Sequence, residues 1–243
     1  DPASGQSLLD SEGRFMLTDV RTDFDNQAVA QSSPRALANS LAAADYRDVD
    51  VVFVALHGGS GENGTIQNLL HLAGKKYTGS NMTASAVAMD KAMSKRLMES
   101  IGVATPKWTI AKIGRDADAA RSSKEIVEQF DLPIIVKPND GGSTIGLTKV
   151  TKPEGVSSAL AKAAAYDKRV MIENYIAGRE VTVAVFDGRP LPVVEIKPVS
   201  GLYDYEAKYT KGKSEYIVPA DIDGKIAQEL QEAALNVYDV IGA

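Results

Sequence analysis

Residues 135–150 read IVKPNDGGSTIGLTKV, and everything else in the chain is placed by how this stretch is understood. Pro133 opens a very apolar strand, PIIVKP, and a second strand over Thr144 to Val150 follows a glycine cluster, Gly141-Gly142-Ser143-Thr144-Ile145-Gly146. The cluster offers backbone N–H groups and hydroxyls that suit phosphate oxygens. It is not a Walker A loop, because Gly146 is followed by Leu147-Thr148 rather than by Lys and a hydroxyl residue, and it links two strands instead of a strand and a helix. Lys137 ends the first strand, six residues before Ser143. Lysine is rarely buried without a partner, and either a phosphate or a structural carboxylate would serve Lys137.

Upstream, VDVVFVAL at 49–56 is a continuous apolar run, the pattern of a buried parallel strand. A helix over Thr65 to Ala73 follows, with Ile66, Leu69, Leu70 and Ala73 at helical spacing. Between them Gly59-Ser60-Gly61-Glu62-Asn63-Gly64 spells GxGxxG. The ribose-binding acid expected about 20 residues on is replaced by KKYTGSNMT, so dinucleotide binding is rejected. The loop is then a structural turn or a substrate-side loop, with His57 at the strand end as a candidate for meeting a carboxylate, or as a hydrogen-bonded loop histidine. From Met82 to Ile101 the sequence predicts one longer helix, with Met89, Met93, Leu97 and Ile101 every fourth residue and Gly102 as its stop.

A strand near 107–111, a polar helix over 116–130 and a helix over 154–165 are expected around the central stretch. Strands at Val170 to Glu173, Glu180 to Asp187 and Leu191 to Lys197 follow, and Asp187-Gly188 marks an antiparallel hairpin. Leu230, Ala234, Val237 and Ile241 mark one face of a last helix. The polar stretch from Asp25 to Pro34 reads as a surface loop.

The chain has 243 residues, enough for one or two domains at roughly 150 residues each. Its 27 basic against 32 acidic side chains give a net charge of −5, which excludes a nucleic-acid partner held by bulk charge. There is no cysteine, so disulfides, thiolate metal sites and a cysteine nucleophile are excluded. His57 and His71 lack zinc-ligand spacing. No apolar run approaches the roughly 20 residues that span a bilayer, and a cytoplasmic location is expected.

Five segments in order, ALHGGSGENGTIQ at 55–67, YTGSNMTASAVAMDKAMSKRL at 77–97, IVKPNDGGSTIGLTKV, ENYIAGREVTV at 173–183 and YDYEAKY at 203–209, make the chain resemble the D-alanine–D-alanine ligases of the ATP-grasp superfamily. The resemblance implies an α/β ATP-grasp fold of three lobes: a partly parallel N-terminal lobe over 1–79, a central lobe over 80–173 and a C-terminal lobe over 174–243, the last two with mixed or antiparallel sheets. It implies that Lys91 and Lys137 bind ATP phosphates, Glu173 and Ile176 form the adenine hinge, and Glu180 binds ribose hydroxyls. Gly142 and Ser143 would lie in the loop covering the phosphates. Ser143, Tyr209 and the neighbouring Lys208 would complete the catalytic network, with His57 on the substrate side.

The implied reaction phosphorylates one D-alanine, and the amine of a second attacks the acylphosphate, in service of peptidoglycan precursor synthesis. Tyr209 favours D-alanine over D-lactate as second substrate. The alternatives are a non-catalytic ATP-binding module and a relative using D-lactate or D-serine. Family members are commonly homodimers and use Mg2+ or Mn2+, whose ligands are expected beyond Ala243. The sequence opens without a methionine and after the family's GGxSxE segment, so it is expected to be an excerpt, inactive as it stands.

Overall fold

The computed structural model describes residues 49–114, 116–199, 207–208, 210 and 212–243, and the expected loop at 25–34 lies outside them. The chain divides into two compact units, the first ending at Ala86 and the second running from Val87 to Ala243.

In the first unit, β1 (Val51–Val52) pairs in parallel with β2 (Lys76–Tyr77), and α1 (Thr65–Leu72) makes the crossover between them. Val52, Val54 and Leu56 pack with Ile66 and Leu70 of α1, whereas Val51 and Phe53 remain 51% and 77% exposed. The expected strand buried on both faces is thus corrected to a one-sided one. Among the described residues α1 covers a single face, so alternate side chains are left without cover. The strand β2 escaped the sequence reading because two residues carry no periodicity.

The GxGxxG stretch turns on two closely packed glycines. A Cβ on Gly61 would lie 2.5 Å from the Leu56 carbonyl oxygen, and one on Gly64, at φ +89°, 2.5 Å from that of Met82. Two chain crossings therefore require glycine. Asn63 Oδ1 accepts the Thr65 N–H at 3.1 Å, and the buried Gln67 amide donates to the Gly61 carbonyl at 2.9 Å. No helix among the described residues is long and apolar enough to cross a membrane.

The second unit is built on a four-stranded antiparallel sheet ordered β3-β6-β4-β5, from Trp108–Lys112, Arg169–Asn174, Ile134–Pro138 and Thr148–Val150. Strand side chains alternate faces. Ile134, Val136, Val150, Val170 and Ile172 all join one core with α4 (Asp116–Gln129) and α5 (Val156–Ala164), which contribute Ile126, Ala159, Leu160 and Ala163. The alternate positions, Ile135, Lys137, Lys149, Met171 and Glu173, fall on the opposite face. Lys137 is therefore turned away from the hydrophobic core by its place in the strand.

A second sheet orders β11-β10-β7, from Ser214–Ile217, Val194–Pro198 and Glu180–Thr182. The single strand expected over 180–187 is interrupted, since residues after Thr182 leave that sheet and form a separate hairpin of β8 (Val185–Phe186) and β9 (Arg189–Pro190). Its turn is the expected Asp187-Gly188, at φ +49° and +68°. The last helix, α6 (Gly224–Ile241), buries the anticipated face only partly and packs against the helix Lys91–Ser100 and the hairpin. Asp223 caps its start, and Gly242, left-handed at φ +73°, ends it.

The helix expected over 82–101 is two helices, α2 (Met82–Met89) and α3 (Lys91–Ser100). Asp90 breaks it: its backbone is extended and its carboxylate accepts the Met93 N–H, as an N-cap does. The expected apolar face fails with it. Met93 and Ile101 are 41% and 39% exposed, while Ala92, Ser94 and Lys95 turn inward.

Candidate active site

The start of α3 is fastened to the end of β4 through Asn139, which is fully buried. The first three helical N–H groups, which have no partner inside a helix, are all satisfied here. The Asn139 carbonyl takes Lys91 N–H at 3.2 Å, its side-chain oxygen takes Ala92 N–H at 2.9 Å, and Asp90 takes Met93 N–H at 3.0 Å. Asn139 Nδ2 donates back to Asp90 Oδ1 at 2.9 Å, and Arg169 Nη1 donates to Asp90 Oδ2 at 2.7 Å. Burial pushes the Asp90 carboxyl up, but the Arg169, Asn139 and Met93 hydrogen bonds outweigh it and hold the group at about 2.

This anchorage brings Lys91 onto the glycine loop. Its Nζ donates to the Asn139 and Gly141 carbonyls at 3.1 and 2.6 Å. Burial, and then the charge of Lys137, lower its pKa. The loop carries two consecutive non-glycine residues in the left-handed region, Ser143 at φ +52° and Thr144 at φ +64°. Each such residue costs roughly 1–2 kcal/mol, strain that clusters at functional positions. Gly142 is exposed and Ser143 half-buried.

The partner that Lys137 requires is Glu173 Oε1, on the neighbouring strand β6. Glu173 Oε2 is held by Lys95 Nζ at 2.9 Å, and Lys95 also reaches Thr105 Oγ1 at 2.9 Å. Burial raises the Glu173 pKa, but the two lysines outweigh it and leave the carboxyl below its ordinary value. Lys91, Lys95, Lys137 and Glu173 thus form one cluster beside the loop. Among the described residues no group of three or more His, Cys, Asp or Glu side chains gathers that could hold a metal ion.

The remaining expected residues lie elsewhere. Ile176 is 66% exposed just beyond β6, where the Tyr175 N–H is tied to the Pro133 carbonyl at 3.1 Å and Lys149 stacks on the Tyr175 ring at 3.5 Å. Glu180 is exposed at the start of β7, after Arg179, which makes a two-pronged pair with Glu195 at 2.7 and 2.6 Å. Lys208 is half-buried beside Ala207, whose carbonyl takes the Ser214 hydroxyl at 2.6 Å. Tyr209 lies outside the described residues. His57 belongs to the first unit, where its exposed ring meets Glu62 at 3.4 Å.

The D-ala D-ala ligase C-terminus family model matches residues 97–243, and the D-ala D-ala ligase N-terminus model matches residues 6–80. The chain belongs to the D-alanine–D-alanine ligase family. A relative from Syntrophotalea carbinolica, named D-alanine–D-alanine ligase, is 41% identical over 208 residues, covering 86% of this chain and 65% of its own. The VanG D-Ala:D-Ser ligase of Enterococcus faecalis superposes with a TM-score of 0.68 at 35% identity, over 80% of this chain and 57% of that one. The Bacillus anthracis D-alanine–D-alanine ligase complexed with ATP gives 0.67 at 30% identity, over 86% and 64%. The chain thus spans less than two thirds of these relatives' lengths, and its architecture is the ATP-grasp fold.

Four residues of the cluster and its anchorage were missed by sequence reasoning: Asp90, Lys95, Asn139 and Arg169. Asp90 left a local signal, an N-cap residue before KAMS. Lys95 sits four residues after Lys91, one helical turn away, and so on the same face. Asn139 and Arg169 act only through partners distant in sequence, and nothing local marks them.

Proposed function

We propose that the protein is an ATP-dependent ligase that joins two D-alanines through a D-alanyl phosphate, supplying a peptidoglycan precursor. The observation that carries this reading is the cluster of Lys91, Lys95 and Lys137 around the buried carboxylate Glu173, beside a strained glycine loop, in a chain of this family. Three ammonium groups converge beside a loop rich in N–H donors, with Glu173 buried among them and Asp140 and Asp167 also acting on Lys91, an arrangement in which the lysines can turn to a polyphosphate.

In the reaction, a carboxylate oxygen of the first D-alanine attacks the terminal phosphorus of ATP and ADP departs. The amine of the second then attacks the acyl carbon, the phosphate leaves and the amine gives up a proton. Lys91 and Lys137 hold phosphate oxygens, and Ser143 with the Gly142 amide closes over them, so that the chain contributes positioning and charge stabilisation rather than a covalent nucleophile. Glu173 and Ile176 meet adenine, and Glu180 meets ribose. Lys208 and Tyr209 close over the substrates, and His57 lies on the substrate side. A divalent cation would neutralise phosphate charge; among the described residues no three His, Cys, Asp or Glu side chains gather that could hold it.

The lobes would be 1–79, 80–173 and 174–243, in a cytoplasmic homodimer as family resemblance suggests. Incubating the native protein with ATP, Mg2+, D-alanine, D-serine and D-lactate, with products identified by mass spectrometry, tests the reading. D-alanyl-D-alanine as the main product is expected; nucleotide binding without any product would replace the ligase by a non-catalytic module. Lys137→Ala is expected to weaken ATP by at least about tenfold, since charged hydrogen bonds contribute roughly 1.5–3 kcal/mol. The fold should survive because Lys95 still holds Glu173, and circular dichroism checks this. Unchanged ATP affinity would remove Lys137 from the site.

A further inference from the structure

The two lysines on Glu173 are not equivalent. Lys95 is held from two sides, by Glu173 Oε2 at 2.9 Å and by Thr105 Oγ1 at 2.9 Å, and its side chain is only 11% exposed. The Thr105 hydroxyl is itself fixed, donating to the Pro106 carbonyl at 3.0 Å. Lys137 is more exposed, at 19%, sits at the end of β4 where the glycine loop begins, and feels the like charge of Lys91. A phosphate entering beside the loop would therefore draw Lys137, the less constrained of the two, off the carboxylate.

Glu173 would then be a buried carboxylate that has lost one of its two cations. Alone, such a group takes up a proton or moves toward water. Lys91 cannot replace the lost cation while it is committed to the Asn139 and Gly141 carbonyls. Lys95 can, because its contact uses the other carboxylate oxygen and comes from a different element, α3 rather than β4.

We propose that Lys95 is a positioning residue for nucleotide binding, the cation that keeps Glu173 ionised and in place when phosphate recruits Lys137. This rests on the reading of the cluster as an ATP site and adds to it a two-cation exchange on one carboxylate. The consequence is selective. ATP binding needs Lys95 because it withdraws Lys137, whereas adenosine, having no phosphate, leaves Lys137 where it is.

The test compares dissociation constants of MgATP and adenosine by titration calorimetry on the native protein, wild type against Lys95→Met and Lys95→Arg. Lys95→Met is expected to weaken MgATP by about 30-fold or more, the scale of losing one partner of a buried charge pair, and adenosine by less than about threefold. Lys95→Arg should restore most of the MgATP affinity. Equal losses for both ligands, or no loss for MgATP, would overturn the proposal, the first by making Lys95 merely structural. Failure of the wild type to bind MgATP would instead overturn the ATP-site reading itself.

A second measurement does not depend on the variant folding. Wild-type MgATP binding in buffers of differing ionisation enthalpy, at mildly alkaline pH where phosphate is fully charged, should show no proton uptake. Uptake of about one proton per nucleotide would mean that Lys95 does not keep Glu173 charged.

Discussion

At Asp90 one carboxylate closes three gaps: it caps α3 through Met93, takes the Asn139 amide and pairs with Arg169. Its pKa, held at about 2 against an ordinary 3.8, makes that linkage measurable in acid. Because the folded value is the lower one, the stabilisation is fully present above the unfolded pKa and is lost as pH falls from about 4 toward about 2. At face value the shift is worth about 2 kcal/mol, but Arg169 is 42% exposed, and solvent screening reduces this to about 1 kcal/mol. Urea unfolding of the wild type should therefore lose that much stability between pH 5 and pH 2 beyond what Asp90→Asn loses, and parallel curves would show that the pair contributes nothing. A partner for Lys137 was foreseeable from the cost of burying an ammonium. That the same carboxylate also serves Lys95 was not, because β6 and α3 meet through tertiary packing that no local pattern records.

Elements were legible where helical spacing ran unbroken, as in α1, α5 and α6, and illegible where one residue overrode the period. The spacing of Met89, Met93, Leu97 and Ile101 favoured one helix, but Asp90 gained a cap, an amide and a guanidinium by leaving the helical conformation. In β4 the alternation of IIVKP already separated Ile134 and Val136 from Ile135 and Lys137, yet which face became the core depended on where α4 and α5 packed. The glycine loop was legible as a loop only up to Ser143, because the strand expected from Thr144 starts at Thr148, and its geometry now makes a comparison of two glycines informative. Gly146 and Gly188 share nearly the same backbone, φ +73° and +68°, but a Cβ on Gly146 would lie 2.8 Å from the Tyr166 ring and 2.9 Å from Pro138, while Gly188 has open space. Gly188→Ala should cost about 1 kcal/mol, the left-handed backbone alone. Gly146→Ala should cost about 1–3 kcal/mol more, for overpacking against a proline ring held in β4. Thermal unfolding of both variants checks this, and equal midpoints would show that the loop yields freely around an added methyl.

Across the whole molecule the sheets differ in how completely their strands are enclosed. In the four-stranded sheet β4 and β6 are each paired on both sides, and Ile134, Val136, Val170, Met171 and Ile172 are wholly buried. The β8–β9 hairpin is a two-stranded ribbon with Phe186 73% exposed, and β1–β2 is a pair of two-residue strands with Val51 51% exposed. Amides open locally according to the apolar contact and pairing that must be broken, so stability should be graded along the chain. Hydrogen exchange followed by mass spectrometry is expected to find the slowest amides of the described residues in β4 and β6, with β10 intermediate and the hairpin and β1–β2 fastest. This ordering has a functional edge. Lys137 and Glu173 are expected on the two most protected strands, whereas Gly142 and Ser143 stand on the adjoining loop, whose backbone pairs among the described residues are turn bonds such as those from Ile145 to Gly142 at 3.2 Å and from Leu147 to Thr144 at 3.3 Å. Slow exchange in β4 and β6 beside fast exchange in 141–147 would mean that the charged cluster is held rigid while the loop beside it is free to close. Protection in the loop equal to that of β4 would instead make it a fixed wall of the site, and a closing role for Ser143 would fall with it.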